Sequence, residues 1–106
     1  MPEAVEVTTF KLRRGVTVAD FVAGNASINR WLKKQPGFRS RRICELPDGS
    51  VVDMLIWRTA ELGSDAAARI VSETSDSPVH AMINQRTVIW RVAEVRQTSE
   101  HTKAPK

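Results

Sequence analysis

Apolar and polar positions along the 106-residue chain change period several times, and each change marks an element. From Ala4 to Leu12, Val5 and Val7 alternate with Glu6 and Thr8 and Phe10 follows, a two-residue period that predicts a strand. Gly15 breaks the chain, and Thr17 with Asp20 three residues on forms a capping-box-like helix start. The spacing predicts a helix over Val18 to Lys34, stopped by Gln35-Pro36-Gly37. Phe38 to Leu46 reads as a second strand, Pro47-Asp48-Gly49-Ser50 as a turn, and Val51 to Arg58 as a third strand returning antiparallel. Thr59 caps a second helix over Ala60 to Glu73, with a soft spot at Gly63-Ser64. Ser77-Pro78 opens a short helix running through Ile83, with proline at a favoured first position. Thr87 to Arg96 is the fourth strand. The pattern gives one domain over residues 1–96 and a polar C-terminal tail over 97–106, with no internal repeat and no linker.

The order is β-α-β-β-α-β, an α+β, ferredoxin-like plan: a four-stranded antiparallel sheet with its helices on one face. The third strand is apolar on both sides. Val51, Asp53, Leu55 and Trp57 share one face, and Val52, Met54, Ile56 and Arg58 the other. The fourth strand repeats this with Val88, Trp90 and Val92 against Ile89, Ala93 and Val95. A sheet with one wet face alternates apolar and polar residues. Two helices cover one face only, so the second predicts a partner, most economically another copy in a two-fold homodimer with Met54 and Ile56 at the contact.

In the first helix, Val18, Phe21, Val22, Ile28 and Leu32 form one apolar arc, with Trp31 at its edge. Asn25 and Asn29 fall inside that arc. Buried amides need partners, so the two either bond backbone or a buried water, or line a cavity and face a ligand. The second helix offers Gly63, Ala66, Ala67 and Ala68, small residues that bring it close to the sheet or leave space beneath it.

Composition narrows the function classes. Hydrophobic residues make up 42% and charged residues 26%, an ordinary globular mix that excludes a disordered or disulfide-built chain. No apolar run approaches the roughly 18 residues of a membrane span, and the acidic start lacks the features of a signal peptide. The single cysteine, Cys44, fits a reducing cytoplasm. Lys11 to Arg42 carries nine basic residues against one acid, Asp20, which suits an acidic partner or anionic ligand as well as a solvated face. An RNA-recognition module shares the element order but needs exposed aromatics on its inner strands, and the third strand supplies only Trp57. Nucleic acid is therefore not an expected partner.

Candidate chemistry is sparse. His80 is the one histidine inside the domain, and its titration range suits a general base. Cys44 lies mid-strand and reads as an inert core thiol. Cys44, His80 and the scattered carboxylates lack metal-ligand spacing, so no metal is expected. Asp53 is a charge in an apolar strand; it calls for an arginine, with Arg91 as the suggested partner, or serves as a cavity carboxylate.

Phe10-Lys11-Leu12 before Gly15, Gln35-Pro36-Gly37-Phe38 with Arg41 behind it, Asp48-Gly49 before Val52-Asp53-Met54-Leu55-Ile56-Trp57, and the small-residue helix after it form an ordered set. In these the chain resembles the dimeric α/β-barrel superfamily, in particular the antibiotic-biosynthesis-monooxygenase-like domains. The resemblance spans roughly residues 4 to 96 and implies two sheets packing as a dimeric α/β barrel. It implies that Trp57 matches a tryptophan facing the cavity in many relatives. Haem-degrading relatives pair it with an asparagine on the first strand, where this chain has Thr8, and use a histidine in the second helix, which is missing here; haem breakdown is not expected. The resulting expectation is a small homodimeric domain binding an aromatic or apolar molecule, with cofactor-independent monooxygenase activity and no cofactor. Its site would be drawn from Asn25, Asn29, Trp57, Thr8, Asp53, Arg91 and His80. The competing expectation is a non-catalytic ligand-binding or stress-associated protein of the same fold.

Overall fold

The computed structural model describes residues 2–101. The strands β1 (Ala4–Leu12), β2 (Phe38–Glu45), β3 (Val51–Trp57) and β4 (Ile83–Glu94) form one antiparallel sheet in the order β2-β3-β1-β4. Strands β1 and β3 are therefore central, and each chain crossover skips one strand. The first crossover carries α1 (Val18–Gly24) and α2 (Ala26–Lys33), the second α3 (Ala60–Glu73) and α4 (Val79–Met82). All four helices pack on one face of the sheet, and the buried core of Phe10, Phe21, Ile28, Leu32, Val51, Leu55, Trp57, Ala66 and Val79 lies between the layers. No helix among the described residues is long and apolar enough to cross a membrane. Residues 97–101 form no helix or strand, and the rest of the expected tail lies outside the described residues.

The long first helix is two helices. The Thr17–Asp20 capping box forms in both directions, each bond 3.0 Å. At Asn25 the helix tightens: its backbone N–H donates to Val22 O, three residues back, and its side-chain Nδ2 donates to Phe21 O at 2.7 Å. A side chain that bonds the preceding turn competes with the helical ladder, so α1 ends and α2 begins at this residue. The fourth strand starts at Ile83, four residues before the expected Thr87. The intervening Asn84-Gln85-Arg86 lies at a register irregularity in the pairing with β1, between Thr9 and Lys11, and such a bulge hides a strand from a two-residue pattern.

The inward stripe of β1 runs against the simplest reading of its alternation. Ala4, Glu6, Thr8 and Phe10 face the helices, paired in order with Trp57, Leu55, Asp53 and Val51 of β3. Val5 and Val7 point the other way, beside Ile56 and Met54. The outer face is consequently apolar: Val5, Val7, Val52, Met54 and Ile56 are only half-buried, and Ile89 is 51% exposed. Cys44 belongs to this side, level with Val52, and is exposed rather than part of the core, because β2 is an edge strand and its outward side chains have no layer above them.

Small residues on α3 do two different things. A Cβ at Gly63 would sit 2.8 Å from Cδ1 of Trp57, so here the helix touches the indole and only glycine fits. Ser64, the next residue, and Ala67 and Ala68, about one turn on, border a cavity.

Candidate functional site

The cavity between the sheet and the helices has a volume of about 490 Å³. Its apolar wall comes from Phe10, Leu55 and Val88 of the sheet and from Phe21, Ile28, Leu32 and Ile70 of the helices. Its polar wall comes from Glu6, Thr8, Asn25, Arg41, Asp53 and His80, with the half-exposed Trp90 beside them. A mostly apolar hollow with a few convergent polar groups is the usual form of a small-molecule site.

Glu6 is the most constrained polar group. It is 8% exposed, and each carboxylate oxygen accepts an indole N–H: Oε1 from Trp57 at 2.8 Å and Oε2 from Trp90 at 2.7 Å. Burial pushes its carboxyl above the ordinary value of 4.5, against the pull of the Trp90 and Trp57 hydrogen bonds; nearby Asp53 pushes the same way and Arg41 opposes it. The fixed indoles hold the carboxylate plane while the hollow keeps it out of bulk water.

Asp53 is paired by Arg41 in a fork, Nε to Oδ1 at 2.9 Å and Nη2 to Oδ2 at 2.6 Å. The remaining Nη1 donates to Oδ1 of Asn29 at 2.8 Å. This arrangement corrects the suggested pairing with Arg91. That residue is exposed on the outer face, level with Val7, and does not reach the cavity. The partner comes from β2, whose Arg41 lies level with Leu55, next to Asp53 along β3 and on the same face.

The two asparagines separate. Asn25 is fully buried in the cavity wall, and its Oδ1 has no hydrogen-bond partner among the described residues. Asn29 borders a different hollow beside β2 and serves Arg41. Trp57 is 1% exposed and packed edge-on against Phe38. It stands behind the wall and meets the cavity through Glu6. Thr8 lines the wall between Asp53 and Trp90. His80 on α4 also lines it; its Nε2–H donates to Thr74 O at 3.1 Å, with Thr74 Oγ1 at 3.0 Å, while Oγ1 itself donates to Ile70 O. This tautomer leaves Nδ1 with the lone pair.

The candidate site drawn from the sequence omits Glu6, Arg41 and Trp90, although Arg41 and Trp90 both stand within the patterns read there. Phe10 and Ala4 share the parity of Glu6, and a large aromatic on that stripe was the available sign that it faces the core. Among the described residues, no three His, Cys, Asp or Glu side chains gather as a metal site.

No family model and no curated protein sequence matches this chain. Solved structures do. SnoaB, a cofactor-independent oxygenase from Streptomyces nogalater, is similar with a TM-score of 0.70 and 20% identity, over 92% of this chain and 97% of that one. A provisionally assigned antibiotic biosynthesis monooxygenase from Bordetella bronchiseptica gives 0.69 and 12%, over 92% and 100%. The monooxygenase ActVA-Orf6 of Streptomyces coelicolor, solved with nanaomycin D, gives 0.65 and 18%, over 95% and 94%. At these identities the likeness is one of backbone architecture. The chain has the fold of the antibiotic biosynthesis monooxygenase domain proteins, whose sheets build dimeric α/β barrels.

Proposed function

We propose that this chain is a cytoplasmic homodimer whose cavity binds a small aromatic or largely apolar molecule and oxidises it with molecular oxygen, without a cofactor. The observation that carries the reading is the buried Glu6 carboxylate, held by two indole N–H groups in an apolar hollow. The backbone likeness to a cofactor-independent oxygenase supports it.

The chemistry follows from the substrate. Glu6 takes a proton from an activated ring CH₂; the resulting carbanion donates electrons to O₂ and forms a C–O bond. Glu6 returns its proton to the peroxide, and the hydroperoxide loses water to leave a carbonyl. One oxygen atom ends in the product and the other in water. Proton transfer moves one negative charge from Glu6 to the substrate and leaves the net charge of the hollow unchanged, so no further charge has to be desolvated. His80, through Nδ1, is the second proton acceptor of the wall. Thr8 and Asp53 line the bed of the ligand.

Dithranol, a phenolic anthrone, tests this directly. The purified protein, with no added cofactor, is expected to convert it to the anthraquinone faster than autoxidation in buffer, followed by absorbance and oxygen uptake. Dithranol that binds and quenches the tryptophans yet autoxidises at the buffer rate would favour the non-catalytic reading.

The dimer rests on the apolar outer face of the sheet. Sedimentation at micromolar concentration is expected to give twice the chain mass, and Ile56→Asp to give the monomer. A monomeric wild type would overturn this part of the proposal.

A further inference from the structure

At the end of the sheet beside the cavity, three arginines line a further hollow. It is lined by Arg13, Arg14, Asn84, Gln85 and Arg86, and Gln85 borders the cavity as well. No carboxylate among the described residues forms an ion pair with any of the three guanidinium groups. The backbone there is built rather than loose. Val16 N–H donates to Arg13 O, and Gly15 at φ +86° closes a turn that presents Arg14. Arg13 is tied to the start of β4 by its own N–H to Met82 O at 2.9 Å and its Nε to Ile83 O at 3.3 Å.

The facing strand is fixed as firmly. Lys11 N–H donates to Thr87 Oγ1 at 2.8 Å, and that hydroxyl donates to Asn84 O at 2.6 Å. Arg86 N–H meets Asn84 Oδ1 at 3.3 Å, and Gln85 Nε2 donates to His80 O at 3.2 Å. The bulge in β4 thus brings Arg86 opposite the Arg13-Arg14 turn, and Gln85 joins the two hollows. Bulges commonly re-aim side chains beside a site in this way.

We propose that this arginine-lined hollow binds an oxyanion, a carboxylate or phosphate, carried at one end of the molecule whose apolar body occupies the cavity. Guanidinium groups match the planar fork of carboxylate and phosphate oxygens. The three exposed guanidinium groups have no carboxylate ion-pair partner among the described residues, so an anion entering the hollow meets uncompensated positive charge. The basic stretch that begins at Lys11 thereby gains a local task. The inference rests on the proposed binding of an apolar molecule in the cavity and adds that the molecule is anionic.

Two fluorescent probes separate the two statements. N-phenyl-1-naphthylamine is neutral; 1-anilinonaphthalene-8-sulfonate has the same aromatic body with an anionic group. The wild type is expected to bind both, the anionic probe about tenfold more tightly, and salt is expected to weaken the anionic probe alone. Arg14→Gln with Arg86→Gln, which leaves the structural bonds of Arg13 in place, is expected to erase that advantage and to leave the neutral probe within about twofold. Ala67→Phe, which fills the cavity, is expected to remove both. Displacement of the anionic probe by naphthoate or by naphthyl phosphate names the preferred oxyanion, and failure of both to displace it would sink the proposal. Equal affinities for the two probes, or an advantage that survives the arginine changes, would overturn the oxyanion site and leave the cavity reading standing. If the neutral probe does not bind, or binds unchanged in Ala67→Phe, the cavity reading falls and takes the oxyanion site with it.

Discussion

Glu6→Gln is expected to lower the rate of dithranol oxidation by about a hundred- to ten-thousand-fold, the usual contribution of a positioned general base. The amide keeps an acceptor for one indole N–H and the shape of the side chain, but it cannot take a proton. In the wild type, kcat/KM is expected to rise with pH through the Glu6 titration, because the ionised form is the base; that rise lies above 4.5, since burial raises the group. His80→Asn is expected to cost far less. A large loss in His80→Asn, with Glu6→Gln still active, would reverse the two assignments.

The same substitution has a signature in stability. A carboxyl whose folded pKa lies above its unfolded value binds its proton more tightly when folded. Its stabilising contribution is present below the unfolded pKa and disappears as pH rises through the folded one. The wild type is therefore expected to lose stability, relative to Glu6→Gln, as pH rises from 4.5 through the raised Glu6 value. Urea unfolding of both proteins at a series of pH values gives that difference directly. Taking the difference removes Asp20 and Asp48, whose lowered pKa values act in the opposite sense and are common to both proteins. A flat difference would mean that Glu6 is not held as described.

Arg41→Met is expected to destabilise the fold by about 3–5 kcal/mol, because it leaves the Asp53 carboxylate buried without its partner. The side chains of the pair are only 10% and 11% exposed, so solvent replaces the guanidinium poorly. Arg41→Met with Asp53→Leu is expected to recover most of that loss, since replacing both members removes the unpaired charge. Denaturant midpoints of the two variants check this. A single variant as stable as the wild type would show that Asp53 finds another partner.

Much of the scaffold is legible in the sequence because its signals are local. The capping box at Thr17, the Pro47–Ser50 turn and the cap at Thr59 depend on neighbours within a few residues, and α3 covers the predicted span without change. The doubly apolar third strand carries the same information about its two faces in the structure. What stays hidden depends on pairing across the sheet. Arg41 and Asp53 are twelve residues apart in the chain, and their meeting requires the β2-β3 register. Glu6 meets Trp57 and Trp90 across 51 and 84 residues. The parity of β1 was ambiguous because both of its stripes carry apolar residues. Asn25 lies on the inward arc that the apolar spacing gives it, yet its back-bond to Phe21, which splits the helix, is a matter of side-chain geometry that the apolar pattern does not encode.

The alternation of β1 places two unrelated selective demands on one nine-residue segment. Its odd-numbered side chains, Val5 and Val7, answer to whatever covers the outer face, while its even-numbered ones, Glu6 and Thr8, answer to whatever fills the cavity. Substitution can tune either series without touching the other. Insertion or deletion of a single residue cannot, because a one-residue slip exchanges the two faces along the whole strand. It would drive valines into the hollow and put a carboxylate on the apolar face. Homologues of this chain should therefore change residue identity along β1 more readily than its length, with Glu6 kept wherever the chemistry is kept, and the two parities should drift at different rates: one keeping pace with the outer surfaces of β3 and β4, the other with the chemistry of the ligand.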